Sequence, residues 1–235
     1  MGKGRYSGRR VDAFVFDLDG TLVDSELDIA LAANFTRLHF GLPELPVPTV
    51  TGYVGDGVAR LLHRTLGHDN HRIPAGSPVP EPMHAEGMQV FADHYGRHLL
   101  DNTRLYPGVL EVLRRFAAFP LAVATNKPRA FTDAILTGLH IDGAFRRVVA
   151  GDEVPARKPD PAHLAAALEG LEVAPEKVAM VGDSPNDILA AKAYGALAVG
   201  CTYGLVSPGR VRSARPDLVI DSFAELGEMF PARRE

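Results

Sequence analysis

Residues 11–25 read Val11-Asp12-Ala13-Phe14-Val15-Phe16-Asp17-Leu18-Asp19-Gly20-Thr21-Leu22-Val23-Asp24-Ser25. The run Val11–Phe16 is short and dominated by apolar, β-branched and aromatic residues on both of its faces. Such a run suits a strand buried inside a parallel sheet. It ends in two carboxylates, Asp17 and Asp19, followed by Gly20, a residue that lets the backbone turn tightly. Runs of the same kind recur at Leu121–Ala124, Arg146–Ala150, Lys177–Val181, Ala196–Gly200 and Asp217–Ile220. Between them, helical patterns cover Pro107–Ala118, Arg129–Leu139, Pro161–Leu171, Asn186–Tyr194 and Ser222–Met229. Pro107, Pro128 and Pro161 stand near helix starts, and Gly195 stands where a left-handed cap ends a helix. Strands alternating with helices predict an α/β fold built on a doubly wound parallel sheet, a Rossmann-like core.

The alternation stops between about Asp24 and Thr103. There the apolar spacing is helical throughout: Leu27, Leu31, Phe35 and Leu38; then Val58, Leu61, Leu62 and Leu66; then Met83, Met88, Phe91, Tyr95 and Leu99. These stripes are read as core-facing, and Ser25 with Asp28 resembles a capping box. The Pro- and Gly-rich stretch 67–82 reads as a surface loop, not a metal site, despite His68 and His71. The expected organisation is an α/β core over 11–23 and 104–235, an inserted helical domain over 24–103, and a flexible basic tail over 1–10.

Composition narrows the function classes. The chain has 235 residues, 46% of them hydrophobic, with a formal net charge of −4 and a single cysteine, Cys201. The balance is that of a globular protein, not a disordered acidic chain. It offers no attraction to nucleic acid or anionic membrane, and no run approaches the length that spans a bilayer. One cysteine excludes an intrachain disulfide and a multi-cysteine zinc site. The expectation is a cytoplasmic protein, monomer or homodimer, whose partner is a small molecule.

In a doubly wound sheet, chemistry collects at the carboxyl ends of the strands. The polar residues that follow the predicted strands there are Asp17 and Asp19, Thr125, Lys158, and Asp183 with Asp187. Several carboxylates in one cleft repel each other unless a cation sits among them. An all-oxygen donor set favours Mg²⁺. Carboxylates, a hard cation, a lysine and a threonine hydroxyl suit phosphoryl transfer, in which charge stabilisation dominates.

These motifs resemble those of the haloacid dehalogenase superfamily over about residues 11 to 230. Asp17-Leu18-Asp19-Gly20-Thr21 resembles its first motif, Thr125 its second, Lys158 its third and Gly182-Asp183-Ser184-Pro185-Asn186-Asp187 its fourth. The helical insert is similar to that superfamily's type-1 cap. A finer resemblance, to phosphoglycolate phosphatases, rests on Phe16–Ser25, Gly52-Tyr53-Val54-Gly55-Asp56-Gly57, Ala124-Thr125-Asn126-Lys127-Pro128, Gly151-Asp152-Glu153-Val154-Pro155 and Thr202-Tyr203-Gly204.

The resemblance implies a Mg²⁺-dependent phosphomonoesterase with Asp17 as nucleophile and Asp19 as general acid and base. Asp17, Asp183 and Asp19, the last through its backbone carbonyl, would hold the metal. Gly20, Thr125, Asn126 and Lys158 would hold the phosphoryl group, and Asp187 would orient Lys158 or a metal-bound water. The insert would close over the site. In it, Gly55 and Arg60, with His63 beside them, are the candidates for meeting a substrate carboxylate. The carboxylate at Asp19 argues against a dehalogenase, whose halide leaving group needs no proton. A phosphatase for another small organic or sugar phosphate and a sugar phosphomutase share the same core motifs. A non-catalytic phosphoprotein-binding module would tolerate loss of Asp17 or Lys158, and both are present.

Overall fold

A computed structural model describes residues 6–74 and 77–230. Residues 1–5 of the expected tail, Ala75 and Gly76 of the loop, and the last five residues of the expected core range lie outside the described residues. The chain forms two compact units: Ser25–Thr103, and the described residues on either side of it.

The α/β unit is built on β1 (Ala13–Phe16), with a two-residue strand β2 (Val23–Asp24) just after it. After the insert come β3 (Arg104–Leu105), β4 (Leu121–Ala124), β5 (Arg147–Val149), β6 (Val178–Gly182), β7 (Leu197–Cys201) and β8 (Leu218–Ile220). Six of these strands form one sheet in the order β5-β4-β1-β6-β7-β8, and every pairing in it is parallel. The doubly wound sheet expected from the alternating pattern is therefore present. Chain order runs outward from β1 in both directions, so the loops after β1, β4 and β6 diverge at the carboxyl edge. That reversal leaves a crevice beside Asp17.

Strand β1 shows why the sequence decides the fold. All four of its residues are fully buried, and they alternate between two cores. Ala13 and Val15 face a small-residue cluster with Ala122, Ala124, Leu164, Ala167 and Ile188. Phe14 and Phe16 face the aromatics: Phe14 lies 4.5 Å from Phe116 and 5.3 Å from Phe119 and Phe230, and Phe16 lies 5.7 Å from Phe223 (ring centroids). Each buried phenylalanine contributes about 2–3 kcal/mol of transfer free energy.

Helices of this unit follow in chain order after the four of the insert, which are α1 (Glu26–His39), α2 (Val47–Thr51), α3 (Val58–Gly67) and α4 (Glu81–His98). They are α5 (Val109–Arg115), α6 (Arg129–Gly138), α7 (Ala162–Leu168), α8 (Pro185–Tyr194), α9 (Pro208–Ser213) and α10 (Ala224–Met229). Gly195 caps α8 at φ +90, as its position implied. Several short elements escaped the sequence reading, among them the five-residue helix α2, which buries only Val50 and Thr51. The antiparallel pair β2–β3 joins Val23 to Leu105 and Asp24 to Arg104, too short for any periodicity. Helix α9 buries only Val211 and so carries no apolar stripe. Tyr6, within the expected flexible tail, donates its N–H to Met229 O (3.0 Å) and packs on Phe230.

The helical unit corrects two expectations. Leu27, Leu31, Phe35 and Leu38 are 41–53% exposed. The buried face of α1 is instead Ile29, Ala30, Ala32, Ala33, Asn34, Thr36 and Arg37. Alanines let neighbouring backbone approach closely. The fully buried Arg37 donates to the carbonyls of Pro43, Thr65 and His68, which fixes this face inward. Periodicity located the helix but not its core side. The second stripe and the end of the third do face inward: Leu61, Leu62, Leu66, Phe91, Tyr95 and Leu99 are buried.

Ser25 occupies the N-cap of α1 but makes no side-chain cap bond, so no capping box forms there. Asp28 reaches the far end of the unit instead. It accepts from Asn102 N (3.0 Å), Asn102 Nδ2 (2.8 Å), Thr103 N (2.7 Å) and Thr103 Oγ1 (2.8 Å). Burial would raise its pKa, but these bonds outweigh burial and hold it below the ordinary carboxylate value. No helix among the described residues is long and apolar enough to cross a membrane.

Asp28→Ala is expected to destabilise the helical unit by about 3 kcal/mol, because it removes a charged acceptor from several buried donors. Asp28→Asn should fall between the two. Denaturant midpoints measure this. A lowered carboxylate pKa stabilises above the unfolded-state value, so the wild-type advantage should be complete near neutral pH. It should shrink as pH falls through the folded-state pKa.

Candidate active site

Each carboxyl end in the middle of the sheet delivers one part of the site. Asp17 follows β1, and its N–H still pairs with Val181 O (3.0 Å) on β6. The chain then turns at once: the N–H groups of Thr21, Leu22 and Val23 all converge on Leu18 O. Gly20 sits at φ +80, where a Cβ would strike the Asp183 carboxylate. Only glycine permits both the turn and that approach.

Lys158, in the loop after β5, is buried and places Nζ 2.8 Å from Asp17 Oδ1 and 2.6 Å from Asp187 Oδ1. Burial alone would lower its pKa. The two carboxylates outweigh burial and hold the ammonium above its ordinary value. Burial drives Asp17 the other way, up to about 7; Lys158 opposes this, while Asp187 and Asp19 add to the rise. Asp183 is pushed well above the ordinary range by burial and then by Asp17 and Asp187, although the N–H groups of Val206 and Leu205 stabilise its charge. Leu205 N lies 2.7 Å from Asp183 Oδ2.

Asp187 has both of the roles its position allows. Its Oδ2 accepts from Ser184 N (2.9 Å) and Ser184 Oγ (2.7 Å), and Ser184 Oγ accepts from Asp187 N, a capping box at the start of α8. Its Oδ1 faces Lys158. Asp17, Asp183 and Asp187 offer ligand oxygens that all lie within 4.8 Å of one another. Three buried carboxylates, two of them strained toward protonation, fit a hard divalent cation, which would relieve their repulsion. The side chain of Asp19 is outside this trio.

Thr125 and Asn126 follow β4. Thr125 Oγ1 accepts from Lys127 N (3.2 Å), and Asn126 Nδ2 donates to Lys158 O (3.0 Å), so the β4 and β5 loops are joined. His163, on α7, closes the back of the site: Nδ1 accepts from Lys158 N (3.3 Å) and Nε2 donates to Val149 O (3.2 Å). That pattern requires the neutral ring. Burial, then the Lys158 charge, lowers its pKa from 6.5 to about 4.

The structure thus brings Asp17, Asp19, Gly20, Thr125, Asn126, Lys158, Asp183 and Asp187 to one edge of one sheet. Gly55 and Arg60 belong to the helical unit: Gly55 lies at φ +114 in the turn before α3, and Arg60 is exposed on α3. His63, beside them, accepts from Val79 N (3.3 Å). Two residues of the site were not singled out from sequence. Lys127 carries a signal, a cation directly after the strand-end pair Thr125-Asn126. His163, one polar residue on an apolar helix face, carries none. Lys127 Nζ lies 2.9 Å from each oxygen of Asp19.

The family model of haloacid dehalogenase-like hydrolases matches residues 11–195. The chain is 37% identical to a phosphoglycolate phosphatase of Chromobacterium violaceum, over 94% of this chain and 97% of that one. It is 39% identical to a phosphoglycolate phosphatase of Neisseria meningitidis, over 93% of each. The crystal structure of a predicted phosphoglycolate phosphatase from Haemophilus somnus superposes with a TM-score of 0.86 at 33% identity, over 93% of this chain and 97% of that chain.

Because folded His163 stays neutral down to about pH 4 while the unfolded ring protonates near 6.5, the chain is expected to lose stability as pH falls between those values. The loss due to this ring should be about 2 kcal/mol on going from about pH 7.5 to about pH 5. His163→Gln keeps a donor and an acceptor but cannot titrate. Urea midpoints at the two pH values should therefore fall less in the variant than in the wild type.

Proposed function

The chain belongs to the haloacid dehalogenase-like hydrolase family, and on that premise we propose a Mg²⁺-dependent phosphomonoesterase that hydrolyses 2-phosphoglycolate to glycolate and phosphate. The observation that carries the reading is the buried Asp17–Lys158–Asp187 array, with Asp183 beside it. A nucleophilic carboxylate must face a phosphate dianion, and this array sets an ammonium at the place where those negative charges meet.

Asp17 attacks phosphorus while the ester oxygen departs, giving an aspartyl-phosphate and an alkoxide that takes a proton from Asp19. Asp19, now a carboxylate, removes a proton from water, which attacks the same phosphorus. Phosphate leaves and Asp17 is restored. Thr125 Oγ1 accepts the Lys127 N–H, which leaves its own hydrogen to donate to a phosphoryl oxygen, with Asn126 and backbone N–H groups near Gly20 as further donors. Lys158 neutralises charge on the transferring group throughout, and Asp187 keeps it there. Asp17 and Asp183 would hold a Mg²⁺ through their carboxylates and Asp19 through its backbone carbonyl, and such an ion would supply charge neutralisation between nucleophile and phosphate.

The substrate follows from the curated relatives, named phosphoglycolate phosphatases at 37–39% identity over most of their length. The physiological partner is then a small phosphorylated metabolite in the cytoplasm.

Asp17→Asn is expected to abolish phosphate release, by at least about 10⁴-fold, with unchanged circular dichroism. Turnover surviving in that variant overturns the mechanism. In a malachite-green assay across two-carbon acid, sugar and nucleotide monophosphates, phosphoglycolate should rank first. A larger ester far above it would overturn the substrate and leave the chemistry standing. Chelation with EDTA should remove activity, and Mg²⁺ should restore it.

A further inference from the structure

Two carboxylates of one turn, Asp17 and Asp19, are held by two different lysines from two different loops. Asp17 faces Lys158 after β5, and Asp19 faces Lys127 after β4. Lys127 Nζ bridges both Asp19 oxygens at 2.9 Å, with the two side chains only 5% and 13% exposed. The backbone of Lys127 is itself fixed at both ends: its N–H donates to Thr125 Oγ1 (3.2 Å), and its carbonyl accepts from Gly151 N (2.9 Å). The backbone around Asp19 is equally constrained, because Gly20 N donates to Val23 O (2.8 Å). What remains adjustable at Asp19 is its side-chain torsion, and Lys127 grips both of its oxygens.

We propose that Lys127 is a positioning residue for catalysis, which holds the Asp19 carboxyl in the orientation from which it serves the leaving group. The inference rests on the assignment of Asp19 as general acid and base. Without the Lys127 ammonium on both of its oxygens, the Asp19 carboxylate would be drawn toward Lys158 or pushed away from the neighbouring carboxylates, since like charges this close repel. Lys127 prevents both outcomes. The two aspartates can then do different work from positions two residues apart.

Because Lys127 acts through Asp19, its loss should be felt in proportion to the leaving group's need for a proton. The readout is kcat/KM, which reports steps only as far as formation of the aspartyl-phosphate and departure of the alcohol. In Lys127→Met, kcat/KM for an alkyl phosphate such as phosphoglycolate should fall about 100-fold. For p-nitrophenyl phosphate, whose phenolate leaves unaided, it should fall by less than about 3-fold. Lys127→Arg should recover part of the loss. Asp19→Asn should show the same leaving-group pattern, and the double variant Asp19→Asn/Lys127→Met should be no worse than Asp19→Asn alone.

An equal loss on both esters, or additive losses in the double variant, overturns the proposal. So does a loss confined to KM and to carboxylate-bearing esters, which would make Lys127 a substrate contact. Wild-type protein that hydrolyses neither ester would instead overturn the phosphatase reading itself, so the two failures are distinguishable.

Discussion

Like charges drawn out of water into one cleft repel each other, and this repulsion is the condition the rest of the molecule has to meet. Asp17, Asp19, Asp183 and Asp187 converge at the carboxyl edge of the sheet, with Lys127 and Lys158 as the cations directly paired among them. With all four carboxyl groups ionised these six groups would carry two negative charges, the amount a divalent cation neutralises. The raised pKa values of Asp17 and Asp183 express the same imbalance: without a further cation, burial favours a proton on the carboxyl. The cost is met by rigidity. Backbone N–H groups from Leu205 and Val206 fix Asp183, a helix cap fixes Asp187, and two lysines hold the Asp17 and Asp19 carboxyls in the turn after β1.

That rigidity originates in the sheet. Strand β1 is buried on both faces, with small residues against α7 and α8 and phenylalanines against the aromatic core. A one-residue slip would exchange the two cores, so the register of β1 is strongly specified. With the register set, Asp17 falls at the last hydrogen bond to β6, and Gly20 falls where Asp183 leaves no room for a side chain. The precision of the chemistry is therefore a consequence of packing on the two faces of a four-residue strand.

These features explain what could be read in the sequence. Strands buried on both faces leave continuous apolar runs, and Leu121–Ala124 has the same bounds in the structure as in the sequence. Acidic and basic residues just past those runs stood out for the same reason, since nothing in a buried strand end otherwise requires charge. Contact between loops distant in sequence was not legible. Lys127 was visible as a residue, but its partner Asp19 lies across the sheet edge in another loop. The orientation of α1 failed because large apolar residues are expected inside, while here alanines and a buried arginine take the inner face. Asp28 looked like a local cap, yet its acceptors' partners, Asn102 and Thr103, come from the other end of the insert.

The small pair β2–β3 shows how such an insert is tolerated. Val23 pairs with Leu105 and Asp24 with Arg104, so the chain leaves and re-enters the α/β unit at adjacent points. Closing a loop costs entropy that grows only slowly with its length, and here the closure is made by the core's own ribbon. Asp28, bonded to Asn102 and Thr103, closes the insert a second time from within. Two independent closures mean that neither unit relies on the other to hold its ends together. The turn bearing Asp17 and Asp19 finishes before β2 begins, so its geometry is set by Leu18, Gly20 and Val23 within the α/β unit. Sequence change inside Ser25–Thr103 can thus alter the helical unit without disturbing the carboxylates.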